Sequence, residues 1–565
     1  MSRDLADIRY QDGIRQSRYA GFGGLDRTTG CRPNEFRQME NLSDREYPAV
    51  SPARKRKKIT EVDEKILGYI VKDGSFYGIN TEGTMYDYTD PLVISTGFSR
   101  REGKRTILPF NKKYLVFPEA MVSKQGSAAE MITVSRTENH CSIINGTIYG
   151  INATRNTIKI TDSSGIGDVH DTFNVGDTLE IYSVNGETET QIATATLREK
   201  EMYQEQGDLS ADWVLELRFD DNTFATVENQ TSVMRFERSV PKLTGAFISR
   251  NRVWGWIGNR IYCSALGDAM NFQRFDGLST DAWTVDVAAT EGFVAGMEHN
   301  GYPTFLAPDK IVTVYGSYPA EFYTSETNGG MLGCKFRGTA VSCGGALYYL
   351  SMAGVCRWAG GQPQVISREL GVIAEGTSAT TDGRRYYLTA RFLGENIPCL
   401  LVYDTLTGLW MRESGGITTE GEEPTFHPFE DLQAFDGRCY ALSDGDLYEI
   451  GSAGEPGGRE YMTAFFETGA ETVDTELHKH LNRIRIRAQI DQGAVLTVKI
   501  GCDDEKENGA DKWRELGTLT GTGALTSYNL FVKVRPNDHY HLRFEGEGRW
   551  VLHAISPEYE KGEYR

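Results

Sequence analysis

One short scheme recurs along this chain and leaves few folds open to it. It is seen in "FVAGMEHNGYPTFLAPDKIVTVYG" (293–316), "GTAVSCGGALYYLSMAGVCRWAGG" (338–361), "DGRRYYLTARFLGENIPCLLVYDTLTGLWMRES" (382–414) and "LQAFDGRCYALSDGDLYEIGS" (432–452). Each stretch has a Gly-bearing turn, a strand rich in Tyr, Leu and Val, a second turn around Gly, and another strand. Strand-forming runs separated by such turns are the signature of antiparallel hairpins. Aligned on the strands that begin at Tyr302, Leu347, Tyr386 and Tyr440, the spacings are 45, 39 and 54 residues. A period of that size in an all-β chain predicts propeller blades of four strands each.

Two earlier regions carry the same pattern. "KILGYIVKDGSFYGINTEGTMYDY" (65–88) alternates across turns at Asp73-Gly74 and Glu82-Gly83, and "TILPFNKKYLVFP" (106–118) adds a hairpin. "VWGWIGNRIYCSALGD" (253–268) is a further hairpin, turned at Gly258-Asn259. Counting 64–118, 247–290 and the four later units gives about six blades. A small sheet with two apolar faces is not stable alone, so blades bury those faces against one another. The composition agrees: aromatics make up 11%, Gly numbers 61, and long stretches with a helical period are nearly absent.

Three segments interrupt this rhythm, so the predicted organisation has four parts. Residues 1–60 read as an extended N-terminal arm that must dock on its own chain or on a neighbour to offset its ordering entropy. Residues 61–131 and 241–461 form the β-propeller. Residues 132–240, dense in Thr, Ile and Asn/Gly turns, read as a small β-barrel inserted into a blade loop, where insertions cost least. Residues 462–565 read as a C-terminal β-sandwich with one basic face, because Ile484 and Ile486 alternate with Arg483, Arg485 and Arg487.

The formal net charge of −19 argues against a general nucleic-acid binder, whose affinity comes from basic surface. The exception is the run Arg54, Lys55, Arg56, Lys57 and Lys58, read either as a solvated strand start or as a docking element for an acidic neighbouring subunit. Nine dispersed cysteines, with no CxxC, predict small buried hydrophobes in a reduced compartment. The N-terminus shows no signal-peptide pattern, and no window is apolar enough to span a membrane.

Chemistry-bearing motifs are scarce. The chain has no GxSxG, GxxxxGK[ST] or HExxH. Asp444/Asp446 and Asp503/Asp504 lie in turns without a full calcium-loop pattern, and the strand histidines His478/His480 and His539/His541 read as structural. Gly21–Gly24 ("GFGG") follows no strand–helix unit and reads as a flexible turn. No enzyme, cofactor, metal or small-molecule substrate is expected.

Five stretches in order carry a resemblance: "NEFRQMENLSDREYPAVSPARKRKK" (34–58), "NRVWGWIGNRIYCSALGDAMNF" (251–272), "ALYYLSMAGVCRWAGGQPQVIS" (346–367), "LLVYDTLTGLWMRE" (400–413) and "DHYHLRFEGEGRWVLHAIS" (538–556). Together they resemble tail proteins of double-stranded DNA bacteriophages and prophages, most closely the propeller-based tail nozzle or hub proteins also called head-completion or stabilisation proteins. The most distinctive piece, "YCSALGDAMNF" (262–272), is similar to the family's Y-x-S-x-L-G-D-P-x-N-F segment, with Ala269 in place of the proline and hence a looser turn expected. The resemblance implies a virion component made in the bacterial cytoplasm, assembled as a homo-oligomeric ring of six subunits. Its implied partners are the portal or adaptor and other tail proteins, with DNA passing through the lumen without specific binding. It transfers no catalytic residue. The alternative is a receptor- or carbohydrate-binding protein at the distal tail, using the barrel or the sandwich.

Overall fold

The computed structural model describes residues 14–62, 64–98, 100, 103–123, 128–131, 133–145, 155–161, 166–204, 213–227, 231–275, 277–414, 429–451, 461–472, 478–502, 506–507 and 510–561. They form two compact units, Ile66–Gly333 and Met1–Lys65 with Cys334–Arg565. Among the described residues no helix is long and apolar enough to cross a membrane.

The unit 66–333 holds four antiparallel sheets of four strands, each paired in chain order. They run from Ile66 to Ser95, Thr106 to Met131, Gly245 to Asp286 and Ala295 to Asn328. A two-residue turn joins the first two strands of each sheet, and in Asp73-Gly74 and Asn300-Gly301 both residues have positive φ, the backbone a tight hairpin needs. Neighbouring sheets pack face to face. Phe110, Leu115 and Phe117 share a core with Val253 and Phe272, while Trp254 and Trp256 share one with Phe305, Val312 and Val314.

The other unit has two more such sheets, Val341 to Val365 and Ile373 to Ser414. Their second strands, ALYYLS (Ala346–Ser351) and RYYLTARF (Arg385–Phe392), are buried on both faces, so they read as near-continuous apolar runs. A third sheet takes three strands from Asp431–Phe435, Arg438–Ser443 and Asp446–Ile450, and its fourth from Lys57–Thr60. The chain is therefore all-β and of the β-propeller type. Seven such sheets are found where the sequence count gave about six, because 64–118 supplies parts of two sheets. The later strands of the second sheet, Met121–Ser123 and Glu130–Met131, are too short to show alternation.

Residues 133–239 form one seven-stranded antiparallel sheet lying between the second and third four-stranded sheets. Its two end strands, Thr188–Thr196 and Glu199–Gln204, are joined by only Leu197 and Arg198. Three peptide steps reach about 10 Å at most, so the ends must meet and the sheet is rolled into a barrel. The link itself bridges them, as Leu197 N–H donates to the Asp177 carbonyl at 2.8 Å and Arg198 N–H to that of Arg218 at 2.7 Å. Inside, Ile158, Ile160, Leu179, Ile181, Leu217 and Phe236 pack with Val169 of a short helix, Ile166–Thr172, and with Phe173 just after it.

The C-terminal part is a sandwich of two sheets, and the N-terminal arm supplies a strand to each. Ile14–Gln16 pairs with Trp550–Lys561, and Phe36–Glu40 pairs with Ala464–Thr468. The arm docks because it carries its own apolar anchors. Phe36 is fully buried, its ring 4.5 Å from that of Phe466 and 5.7 Å from that of Phe22. The GFGG segment is packed tightly, which corrects the expectation of a flexible turn. A Cβ on Gly24 would lie 2.7 Å from the Trp410 carbonyl oxygen, so the close approach of two backbones requires glycine there. Substituting Phe36→Ala should cost about 3–5 kcal/mol of stability, as other buried Phe truncations do. Urea denaturation followed by tryptophan fluorescence measures it, and a loss below 1 kcal/mol (roughly the range of surface substitutions) would mean the arm is not part of the core.

Candidate docking site

Residues 41–60 hold the arm to the blade-type sheets through polar side chains. Asn41, mostly buried, accepts from the N–H and hydroxyl of Ser414 at 2.8 and 3.1 Å and donates to the Thr463 carbonyl at 3.0 Å. Asp44 accepts from Arg385 at 3.1 Å and from the Thr407 hydroxyl at 3.0 Å. Arg385 also lies 2.8 Å from Asp404, so one buried guanidinium serves two carboxylates.

The environments of those carboxylates differ. Burial pushes the Asp44 carboxyl above its ordinary pKa, with Arg385 opposing. Burial acts on Asp404 too, but the bonds from Arg384 and the Leu406 N–H, with the Arg385 charge, outweigh it and hold Asp404 below its ordinary value. Of the two, Asp404 is the one whose surroundings favour the charged form beside Arg385.

The basic run follows directly. Arg56 is buried against Glu413 at 3.4 Å, donates to the Ser414 carbonyl at 2.5 Å, and stacks over Phe429 at 4.7 Å from the ring centre. Lys58 pairs with Asp446 at 2.8 Å and with Glu61 at 3.4 Å. Arg54 lies over the Tyr461 ring at 6.0 Å. Of the five residues read either as a solvated strand start or as a docking element for a neighbouring subunit, Arg54, Arg56 and Lys58 are engaged within the chain. Lys55 and Lys57 remain as exposed positions. Lys57–Thr60 is a strand paired with Asp446–Ile450, and its register sets Lys58 opposite Tyr448, within reach of Asp446.

Asp446 is a docking residue that its sequence context reads only as turn chemistry. Besides pairing with Lys58 it accepts the Val62 N–H at 3.0 Å and the Tyr448 hydroxyl at 3.1 Å. Asp444 occupies the turn with φ of 50°, as an Asp-Gly turn requires. Asp503 and Asp504 lie outside the described residues. His541 is buried with Nδ1 3.2 Å from the Thr468 carbonyl, while His478 and His480 are exposed. Among the described residues no three His, Cys, Asp or Glu side chains are grouped to hold a metal. All nine cysteines are free thiols, eight of them buried, with Cys31 half-buried. Burial pushes the thiols of Cys334 and Cys399 up to about 12.

The segment 262–272 closes on itself. The Ser264 hydroxyl accepts the Val253 N–H, the Asp268 carboxylate the Met270 N–H, and Asn271 Oδ1 the N–H groups of Gln273 and Arg274, all at 2.9–3.1 Å. Ala269 is buried beside Phe272. The turn is held by four side-chain bonds without the proline ring, so it is not the loose turn expected.

On the sandwich, Ile484 and Ile486 are fully buried and Arg485 and Arg487 exposed. Opposite them on Leu525–Phe531 stand Asn529 and Ser527, which accept from Arg485 and Arg487 at 3.2 and 3.4 Å.

No protein-family model matches the chain, and no curated protein does. Among solved structures it is similar to the computationally designed Ika8 protein, at 10% identity and a TM-score of 0.33 over 70% of this chain and 99% of that one. BamB from Moraxella catarrhalis is similar at 10% identity and a TM-score of 0.31, over 77% and 99% of the two chains. Kluyveromyces lactis Hsv2 is similar at 7% identity and a TM-score of 0.24, over 62% and 97%. At these values the assignment to the propeller class rests on the strand order described above.

Arg385→Ala should cost about 3–5 kcal/mol at neutral pH, because it removes the cation beside buried Asp44 and one of the two beside buried Asp404. Asp404 is held below its ordinary pKa, so its contribution is present above the unfolded carboxylate's pKa of about 4 and lost as pH falls through the lower folded value. The deficit of the variant should therefore narrow toward pH 4 and below. Denaturant melts from pH 3 to 8 (roughly the range that brackets carboxylate titration) test this, and a deficit independent of pH would exclude the carboxylates as its source.

Proposed function

We propose that this chain is a structural component of a double-stranded DNA phage tail, a hub or nozzle subunit that forms a homo-oligomeric ring, retains DNA and later conducts it. One observation carries this reading. The segment most distinctive of the resemblance, 262–272, spends its polar side chains on backbone groups nearby: Ser264 on the Val253 N–H of the adjoining strand, Asp268 and Asn271 on the loop itself. That is the use expected of an architectural signature.

Two features support it. Blade-type sheets of tightly turned strands make rigid walls with few free edges. The net charge of −19 disfavours adhesion of DNA to such a wall. Lys55 and Lys57, exposed beside the paired strand, supply the inter-subunit contact to an acidic face of the next copy.

A second reading, recognition of an acidic receptor or glycan at the distal tail, is favoured by the exposed Arg485 and Arg487 face of the sandwich. Selective binding on a glycan array by the full chain, lost on Arg485→Glu, would favour that reading.

Negative-stain images of the purified protein should show rings, and the charge reversal Lys55→Glu with Lys57→Glu should leave monomers of unchanged far-ultraviolet circular dichroism. Wild-type protein that stays monomeric at micromolar concentration, and is absent from purified tails, would remove the ring reading.

A further inference from the structure

A cleft of about 230 Å³ opens in the unit 66–333 between the Gly245–Asp286 and Ala295–Asn328 sheets. At its base is Arg252, 3% exposed, whose guanidinium donates to the carbonyls of Ser264, Asp281 and Ser279 at 2.5–2.8 Å. Among the described residues no carboxylate pairs with it. The nearby Asp281 carboxylate is committed to Arg274 at 3.3 Å and to the Leu278 N–H at 2.8 Å. A buried cation held by carbonyl dipoles and by the Phe322 ring at 6.0 Å, with no carboxylate beside it, is costly unless an anion completes it.

One buried donor beside it is unfilled. Trp254, 1% exposed and part of the cleft wall, has an indole N–H with no acceptor among the described residues. At the rim Arg250 stacks on Tyr302 at 4.6 Å from the ring centre and donates to the Gly316 carbonyl at 2.6 Å, leaving the rest of its guanidinium uncommitted. The cleft lining contains no Asp, Glu, Asn, Gln or His. The remaining walls are Leu266, Pro303, Val314, Tyr318 and Phe322. At the rim the Glu321 carboxylate is bonded to the Tyr318 hydroxyl.

We propose that this cleft binds an acidic side chain of an extended peptide from a partner protein, with a large apolar neighbour of that residue seated against the aromatic wall. Two guanidinium groups and an indole N–H gathered with no carboxylate in the lining, whose side-chain acceptors are only the hydroxyls of Ser279, Ser317 and Tyr318, select a carboxylate. The absence of acidic and amide side chains weighs against a sugar, whose hydroxyls need acceptors as well as donors. The volume takes little more than one apolar side chain and its carboxylate, and the apolar surface continues outside it. Leu266 and Tyr318 are 45% and 38% exposed, and Phe275 and Leu278 on the same loop are 53% and 50% exposed. A chain that runs across the mouth covers both, which a free small molecule does not. The inference does not depend on the ring reading.

Isothermal titration calorimetry of the full chain tests it with two capped tetrapeptides, acetyl-Ala-Glu-Phe-Ala-amide and its glutamine counterpart, and with glucuronate. The glutamate peptide should bind about tenfold more tightly than the glutamine one, the difference made by a charge-assisted hydrogen bond. That difference should shrink with added salt and disappear in Arg250→Gln, while Tyr318→Ala should weaken both peptides. Both residues are exposed, and unchanged circular dichroism would show that the variants fold. Equal binding of the two peptides, no heat from either, a preference that survives in Arg250→Gln, or tighter binding of glucuronate than of both peptides would overturn the proposal.

Discussion

The backbone pairing of the N-terminal segment with the C-terminal half is the constraint on which the unit containing it depends. Residues 14–60 have no core of their own, yet they supply an edge strand to each sandwich sheet and the fourth strand of the last blade-type sheet. Without them three sheets would present unpaired N–H and C=O groups to solvent or to other chains. These contacts join residues very far apart, the Arg37–Glu467 bond spanning 430 positions. Such contacts bring a large loop-closure cost before any return, so this unit must complete late in folding.

What holds the segment is divided between two kinds of interaction. Phe22, Phe36 and Phe466 provide apolar burial, worth a few kcal/mol per ring at typical values. Asn41, Asp44 and Arg56 provide register, since each has partners in a fixed geometry that a slipped strand would lose. The exposed Lys58–Asp446 pair adds little energy by comparison, but together with the Val62 N–H it marks where the strand stops. Burial supplies the energy and the polar groups the alignment.

The repeated sheets were legible because each is a local object. Its strands are consecutive, and turns such as Asp73-Gly74 announce themselves by residue type. The sandwich pairs strands far apart in the chain and was legible for a different reason, from runs such as Arg483–Arg487 whose alternation matches a sheet with one wet face. The pairing of Lys57–Thr60 was not legible. Its side chains are mostly exposed and its stabilisation comes from main-chain bonds, which carry no residue signature. GFGG misled for a related reason: glycine marks both a free turn and a backbone pressed against another, and only the Trp410 carbonyl beside Gly24 distinguishes them.

The cleft and the 262–272 turn belong to one loop, which explains why openness occurs there. Within the Gly245–Asp286 sheet the first two connections are tight two-residue turns, whereas residues 264–282 separate the third strand from the fourth. A two-residue turn has no side chains to spare for a recess. The longer loop can fold back on itself through Asp268 and Asn271, keep Arg252 buried beneath its carbonyls, and present Leu266 and Ser279 as a wall. The same bonds that make 262–272 a rigid turn therefore also define the recess beside it. In this fold the sheets set the frame, and chemical individuality is confined to the few connections long enough to carry side chains of their own.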